Sequence, residues 1–95
     1  MASNANDFGL LSPTYKNMSA SGAVKSGIGK LRGIFVASTT GGTLKLWDNT
    51  SAATTVLVNT FTVGAATYYD FGDVLFSNGL YITLANTADW TVFYF

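Results

Sequence analysis

From Met18 onward, apolar residues recur at every second position in short runs broken by turn residues. That pattern leaves little room for anything but β-structure. Successive side chains of a strand point to opposite faces, so a half-buried strand alternates apolar with polar. The cleanest case is Thr43-Leu44-Lys45-Leu46-Trp47-Asp48, where Leu44 and Leu46 share one face and Lys45 and Trp47 the other.

Turn residues then divide the chain. A first strand is predicted over residues 18–25, followed by a turn at Ser26-Gly27-Ile28-Gly29. Residues 30–38 form the next, and the double glycine of Thr39-Thr40-Gly41-Gly42 suits a hairpin. After the strand over 43–48 comes Asn49-Thr50-Ser51-Ala52-Ala53, a loop or one helical turn. In the run 54–63, Val56 and Val58 have one parity, Phe61 and Val63 the other. An unbroken strand buries one pair, whereas a bulge near Asn59 or Thr60 buries both. Gly64-Ala65-Ala66 turns the chain into a strand over 67–71, and 73–76 is a strand or a crossing loop. Ser77-Asn78-Gly79 is a strong turn, because Asn-Gly tolerates positive φ. Strands over 80–84 and 90–95 follow, separated by a turn at Asn86-Thr87-Ala88-Asp89. The last of these is expected to be paired internally on both sides, since exposed aromatic edges aggregate.

About seven or eight short strands at this spacing predict an all-β fold, a two-sheet antiparallel sandwich of the jelly-roll or immunoglobulin-like kind. Residues 1–17 are polar, carry Pro13 and read as an extended N-terminal arm; residues 18–95 form the single domain.

At 95 residues the chain has one modest core, so association is a plausible source of added stability. Five basic and five acidic residues cancel. A neutral chain carries no electrostatic footprint for nucleic acid or an anionic membrane, and neither is expected as a partner. Lys25, Lys30 and Arg32 cluster, reading as a solvated strand face with a contact patch as the alternative. The absence of cysteine suits a reducing cytoplasm or a particle assembled there. The first seven residues have neither a basic nor an apolar signal region, and no apolar run has the length of a membrane helix.

Histidine, cysteine and glutamate are missing altogether, and with them most acid–base, nucleophilic and metal chemistry. Asp70 and Asp73 flank Gly72 and read as turn caps rather than a catalytic pair. Asp48-Asn49 lacks the ladder of oxygen ligands a calcium loop needs. Gly27-Ile28-Gly29 starts like a dinucleotide fingerprint, but Arg32 stands where the third glycine belongs and no helix follows. No enzyme, metal or cofactor is therefore expected. The aromatics are the rich feature. Trp47, Tyr68, Tyr69, Tyr81, Trp90 and Tyr94 are of the rigid, amphipathic type that anchors interfaces, while Phe35, Phe61 and Phe76 are assigned to the core. By parity Trp47 and Tyr81 point outward. Core or scattered surface positions are the competing reading for these aromatics, and an aromatic platform for sugar stacking is the lesser alternative.

Taken in order, Gly22-Ala23-Val24-Lys25, Lys30-Leu31-Arg32-Gly33-Ile34-Phe35-Val36, Leu44-Lys45-Leu46-Trp47-Asp48 and Val56-Leu57-Val58-Asn59-Thr60-Phe61 form a series. It continues through Thr67-Tyr68-Tyr69-Asp70-Phe71-Gly72-Asp73-Val74, Asn78-Gly79-Leu80-Tyr81-Ile82-Thr83 and Thr91-Val92-Phe93-Tyr94. Over residues 18–95 this series resembles small all-β virion proteins of tailed bacteriophages. The resemblance implies a capsid decoration or cement protein on the outside of the head, assembled in the host cytoplasm, with the major capsid protein as partner and a homotrimer as its oligomer. It carries no catalytic residues. From side-chain type, Phe8, Leu10, Leu11 and Tyr15 of the arm are expected to dock on the capsid, and Trp47, Tyr81 and Trp90 to make subunit contacts. A tail or fibre module that binds a receptor or glycan is the alternative.

Overall fold

The computed structural model describes residues 12–95. They form one antiparallel sheet of six strands without a helix: β1 (Thr14–Met18), β2 (Gly22–Ser26), β3 (Gly29–Trp47), β4 (Val56–Thr62), β5 (Thr67–Phe76) and β6 (Gly79–Tyr94). The spine is the long pair β3 and β6, which stay paired from Leu31↔Tyr94 to Trp47↔Tyr81 through three register shifts. One half of this ribbon is flanked by β1 on β6 and by β5 on β3; the other half is flanked by β2 on β6 and by β4 on β3.

The ribbon cannot be straight. Nineteen extended residues of β3 would reach about 60 Å, whereas the longest dimension of the described molecule is 47 Å. Its two ends in fact meet. Gly29, which opens β3, pairs with Phe76, and the next residue, Ser77, donates its backbone N–H to the carboxylate of Asp48, just past the end of β3.

The bend lies where the sequence predicts two hairpins, and it explains why six strands are seen. Residues 39–42 and 86–89 do not reverse the chain. They lie opposite one another in the ribbon, Thr40 and Gly41 both facing Thr87, and together they turn its corner. Bulges fall between Val36 and Ser38 and between Thr40 and Gly41; each adds a residue to one strand and kinks it. Gly41 and Asn86 take positive φ, 61° and 65°. The Asn86 side-chain amide donates to the Gly41 carbonyl at 2.8 Å, and the Thr39 hydroxyl donates to the Thr87 carbonyl at 2.9 Å while accepting from the Gly42 N–H at 3.0 Å. Turn chemistry is present as predicted, but it bends a two-stranded ribbon instead of ending strands.

Two further differences follow from pairing that no local pattern reports. Thr14–Met18, placed in or beside the arm, is an edge strand on residues 90–94. The single strand expected over 18–25 is broken, because β1 pairs with one end of β6 and β2 with the other. The extra residue near Asn59 and Thr60 is present, Leu44 facing Phe61 while Leu46 faces Val58, and it turns Val58, Phe61 and Val63 towards the core. A second shift between Leu46 and Trp47 leaves Val56 37% exposed, so the two pairs are not both buried as expected. Residues 90–94 are paired on both sides, with β1 and β3.

The two halves share one core. Leu31, Ile34, Val36, Trp90 and Val92 come from the first half, and Leu44, Leu46, Leu80 and Ile82 from the second; Val63, Phe76 and Ala88 complete it. On β6 the buried residues are even-numbered from Leu80 to Val92, so two-residue alternation survives the corner and keeps one face inward throughout.

Candidate functional site

What distinguishes the surface is where its apolar residues lie. Among the described residues, the large exposed apolar side chains are Tyr15, Ile28, Phe35, Val56, Tyr68, Val74 and Leu75. Five of them belong to one continuous outer face of the first half. Tyr15 on β1 pairs with Phe93 on β6, and Phe93 with Gly33 on β3; one step along, Phe35 pairs with Tyr68 on β5. Paired residues share a face, and Phe35, flanked by buried Ile34 and Val36, must point away from the core. Gly33 is part of the design: a Cβ there would overlap the Tyr68 ring, so its absence lets that ring lie flat across β3 towards Phe93, with ring centres 6.3 Å apart. Pro13, Arg32, Phe35, Tyr68 and Phe93 line a shallow, almost wholly apolar depression of about 500 Å³.

Arg32 joins this depression to a second one of about 560 Å³, lined by Lys25, Ile28, Lys30, Asp73, Leu75 and Phe95. Its guanidinium makes a two-point contact with Asp73, Nε to Oδ1 at 2.7 Å and Nη2 to Oδ2 at 3.1 Å, and lies 5.0 Å from the centre of the Phe95 ring. The hydrogen bond from Arg32 holds the Asp73 carboxyl below its usual range, and the same bond raises the guanidinium. Burial raises the Tyr68 phenol, and Asp70 nearby adds to the shift. Lys25 is also engaged, donating to the Phe95 carbonyl at 3.1 Å.

The outer face of the second half is different in kind. Trp47 and Tyr81 are paired there, half-buried, with Thr83 and Lys45 beside them. The Trp47 indole N–H donates to the Thr83 hydroxyl at 2.9 Å, and the Lys45 ammonium sits 4.4 Å from the ring centre. These aromatics already have partners in their own chain.

The residues singled out for docking and subunit contact are therefore scattered. Phe8, Leu10 and Leu11 lie outside the described residues. Tyr15 is 64% exposed and belongs to the apolar face. Trp47 and Tyr81 are together, on the other half. Trp90 corrects the expectation: at 2% exposure it belongs to the core and has no surface to give a second subunit. Its parity matches buried Ala88 and Val92, the signal that places it inside. Its indole nitrogen finds no acceptor among the described residues.

Phe35 is corrected in the opposite sense. Assigned to the core, it stands outside, and its parity against Ile34 and Val36 was the available signal. Phe93 was likewise readable from buried Val92. The Arg32–Asp73 pair had none, since 41 positions separate its members.

Asp48 is a structural anchor. It accepts from the Ser77 N–H at 2.9 and 3.0 Å and from the Asn78 N–H at 2.7 Å. Partial burial pushes its pKa up, but the backbone donors of Ser77, Asn78 and Gly79 outweigh this and leave it lowered. Asp70 caps its own turn, accepting from the Gly72 N–H at 2.8 Å. Among the described residues no three acidic, histidine or cysteine side chains gather as a metal site would require. Comparison with protein-family models, curated proteins and solved structures finds no match for this chain.

Proposed function

We propose that this chain is a non-enzymatic virion structural protein, a capsid decoration or cement protein that binds the outside of a tailed-phage head and stabilises the shell. The observation that carries this reading is the lopsided distribution of apolar surface: among the described residues, five of seven large exposed apolar side chains lie on one outer face of a small neutral chain. Exposed patches of this kind mark association surfaces, and a shell component works through association. Many copies, each held weakly, coat a lattice durably through multivalency. In this reading Phe8, Leu10 and Leu11 dock on the major capsid protein, the subunits associate with one another, and the doubled-back ribbon serves as the two layers of a sandwich.

The test uses heads purified from the phage that carries the gene, incubated with labelled protein and sedimented. Saturable binding, with stoichiometry set by the lattice and a higher temperature for DNA release, is the expected result. Heads that sediment without the protein would sink the reading. A second reading, a fibre module that binds a glycan, is favoured by one feature: Tyr15, Phe35, Tyr68 and Phe93 cluster on one face, the Tyr68 and Phe93 rings inclined at 58°, with Asp70 at the border. It predicts saturable binding to a neutral oligosaccharide and none to heads.

A further inference from the structure

We infer that the apolar face of the first half is where two copies of this chain meet, outer face against outer face, about a twofold axis. The inference rests on reading the chain as an assembly component only so far as it leaves this face in need of a cover.

Area is the first argument. Tyr15, Ile28, Phe35, Tyr68 and Leu75 are 64%, 65%, 38%, 46% and 52% exposed. With aromatic side chains burying up to about 250 Å² each, this leaves on the order of 500 Å² of exposed apolar surface. A standard interface covers about 800 Å² per partner, and a little over half of that is apolar. The face therefore supplies the apolar share of one such interface.

Charge is the second. The charged groups at the centre are Arg32 and Asp73, and each already holds the other. Burying them adds no unpaired charge, the costly outcome at an interface. The remaining charges on the strands of the face are Lys16 on β1, Lys30 on β3, Asp70 on β5 and Asp89 on β6, two of each sign, and Lys25 at the rim is held on the Phe95 carbonyl. The face attracts neither a polyanion nor a polycation, but it suits its own copy, because a twofold axis can set Lys30 of one chain towards Asp70 of the other.

The third argument is elimination by surface type. A ring built by a threefold axis needs two different patches that fit each other. The only other large exposed apolar side chains among the described residues are Val56 on β4 and Val74 on β5, and Trp47 is occupied by Lys45 and Thr83. The surface that matches this face best is the same face. Two sheets would then stack about 10 Å apart, as in a sandwich built between chains. The oligomer is a dimer, not the trimer that the phage resemblance implies.

Sedimentation across a dilution series from about 1 to 500 µM tests this. The expected mass is twice 10.1 kDa at the concentrated end. Phe35→Asp, which sets like charges across the axis, should raise the dimer dissociation constant at least about thirtyfold, as loss of an interface hot spot does. Leu75→Lys, at the far end of the face, should act likewise and stands in if the first variant fails to fold. Trp47→Ala should leave the mass unchanged. A monomer throughout, a trimer, or a dimer indifferent to both face substitutions overturns the inference, and a monomer that binds a neutral oligosaccharide through Tyr68 assigns the face to sugar. A monomer that still binds heads defeats the dimer alone; a dimer that ignores heads defeats the decoration reading alone.

Discussion

Asp48 ties the end of β3 to the turn before β6, and it does so as a carboxylate. Its pKa in the folded chain lies below the ordinary aspartate value of 3.8. A group lowered on folding adds stability that is complete above its unfolded pKa and is lost as pH falls through the folded one. Melting temperature should accordingly hold above about pH 5 and fall below about pH 4. Asp48→Asn should flatten that fall, because the amide oxygen still accepts from Ser77 or Asn78 but no longer titrates. At neutral pH the same change should cost about 1 kcal/mol, the difference between a charged and a neutral acceptor discounted for solvent. Thermal melts of both proteins from pH 2 to 7 check this; parallel curves would place the acid sensitivity elsewhere, with Asp73 next in line.

At the scale of the element, the corner of the ribbon depends on backbone conformations that ordinary residues avoid. Gly41 sits at φ 61°, where a β-branched residue is an outlier. Gly41→Val should destabilise the protein by about 1–3 kcal/mol, read as a shift in the urea midpoint. Asn86→Gly should cost less, since glycine keeps the backbone conformation and loses only the hydrogen bond to the Gly41 carbonyl. Equal tolerance of both changes would mean the corner is not held by its backbone. The corner also marks where the sequence stops being legible. Leu44 and Leu46 against Lys45 and Trp47 could be read from alternation, and the extra residue at Asn59–Thr60 from a parity conflict, because both are properties of one strand. Thr39–Gly42 and Asn86–Asp89 carry turn residues that, judged one at a time, mean chain reversal. Their role as partners exists only once β3 and β6 are paired. Thr14–Met18 has no apolar alternation of its own and is a strand because residues 90–94 supply its hydrogen bonds. In the candidate site, the outward parity of Phe35 and Phe93 was legible beside Ile34, Val36 and Val92, although Phe35 was assigned to the core, whereas the meeting of Arg32 with Asp73 and of Tyr68 with Gly33 depends on the register of β3 with β5.

For the whole molecule, β6 has the widest role, pairing with β1, β2 and β3. It also leaves the ribosome after the other five strands described. Before residue 79 is made, β1 and β2 have no partner, and one edge of β3 is bare along its length. A chain truncated after Ser77 should lack the β-sheet circular-dichroism signal altogether, not show a fraction of it; a signal in proportion to the remaining strands would contradict this. Closing β6 onto β1 joins segments more than seventy positions apart, and such long-range closures make folding slow. During synthesis the protein therefore passes through a long interval as an unfolded, strand-rich nascent chain. Its apolar runs and the bare edge of β3 stay uncovered until β6 arrives and the sheet can close.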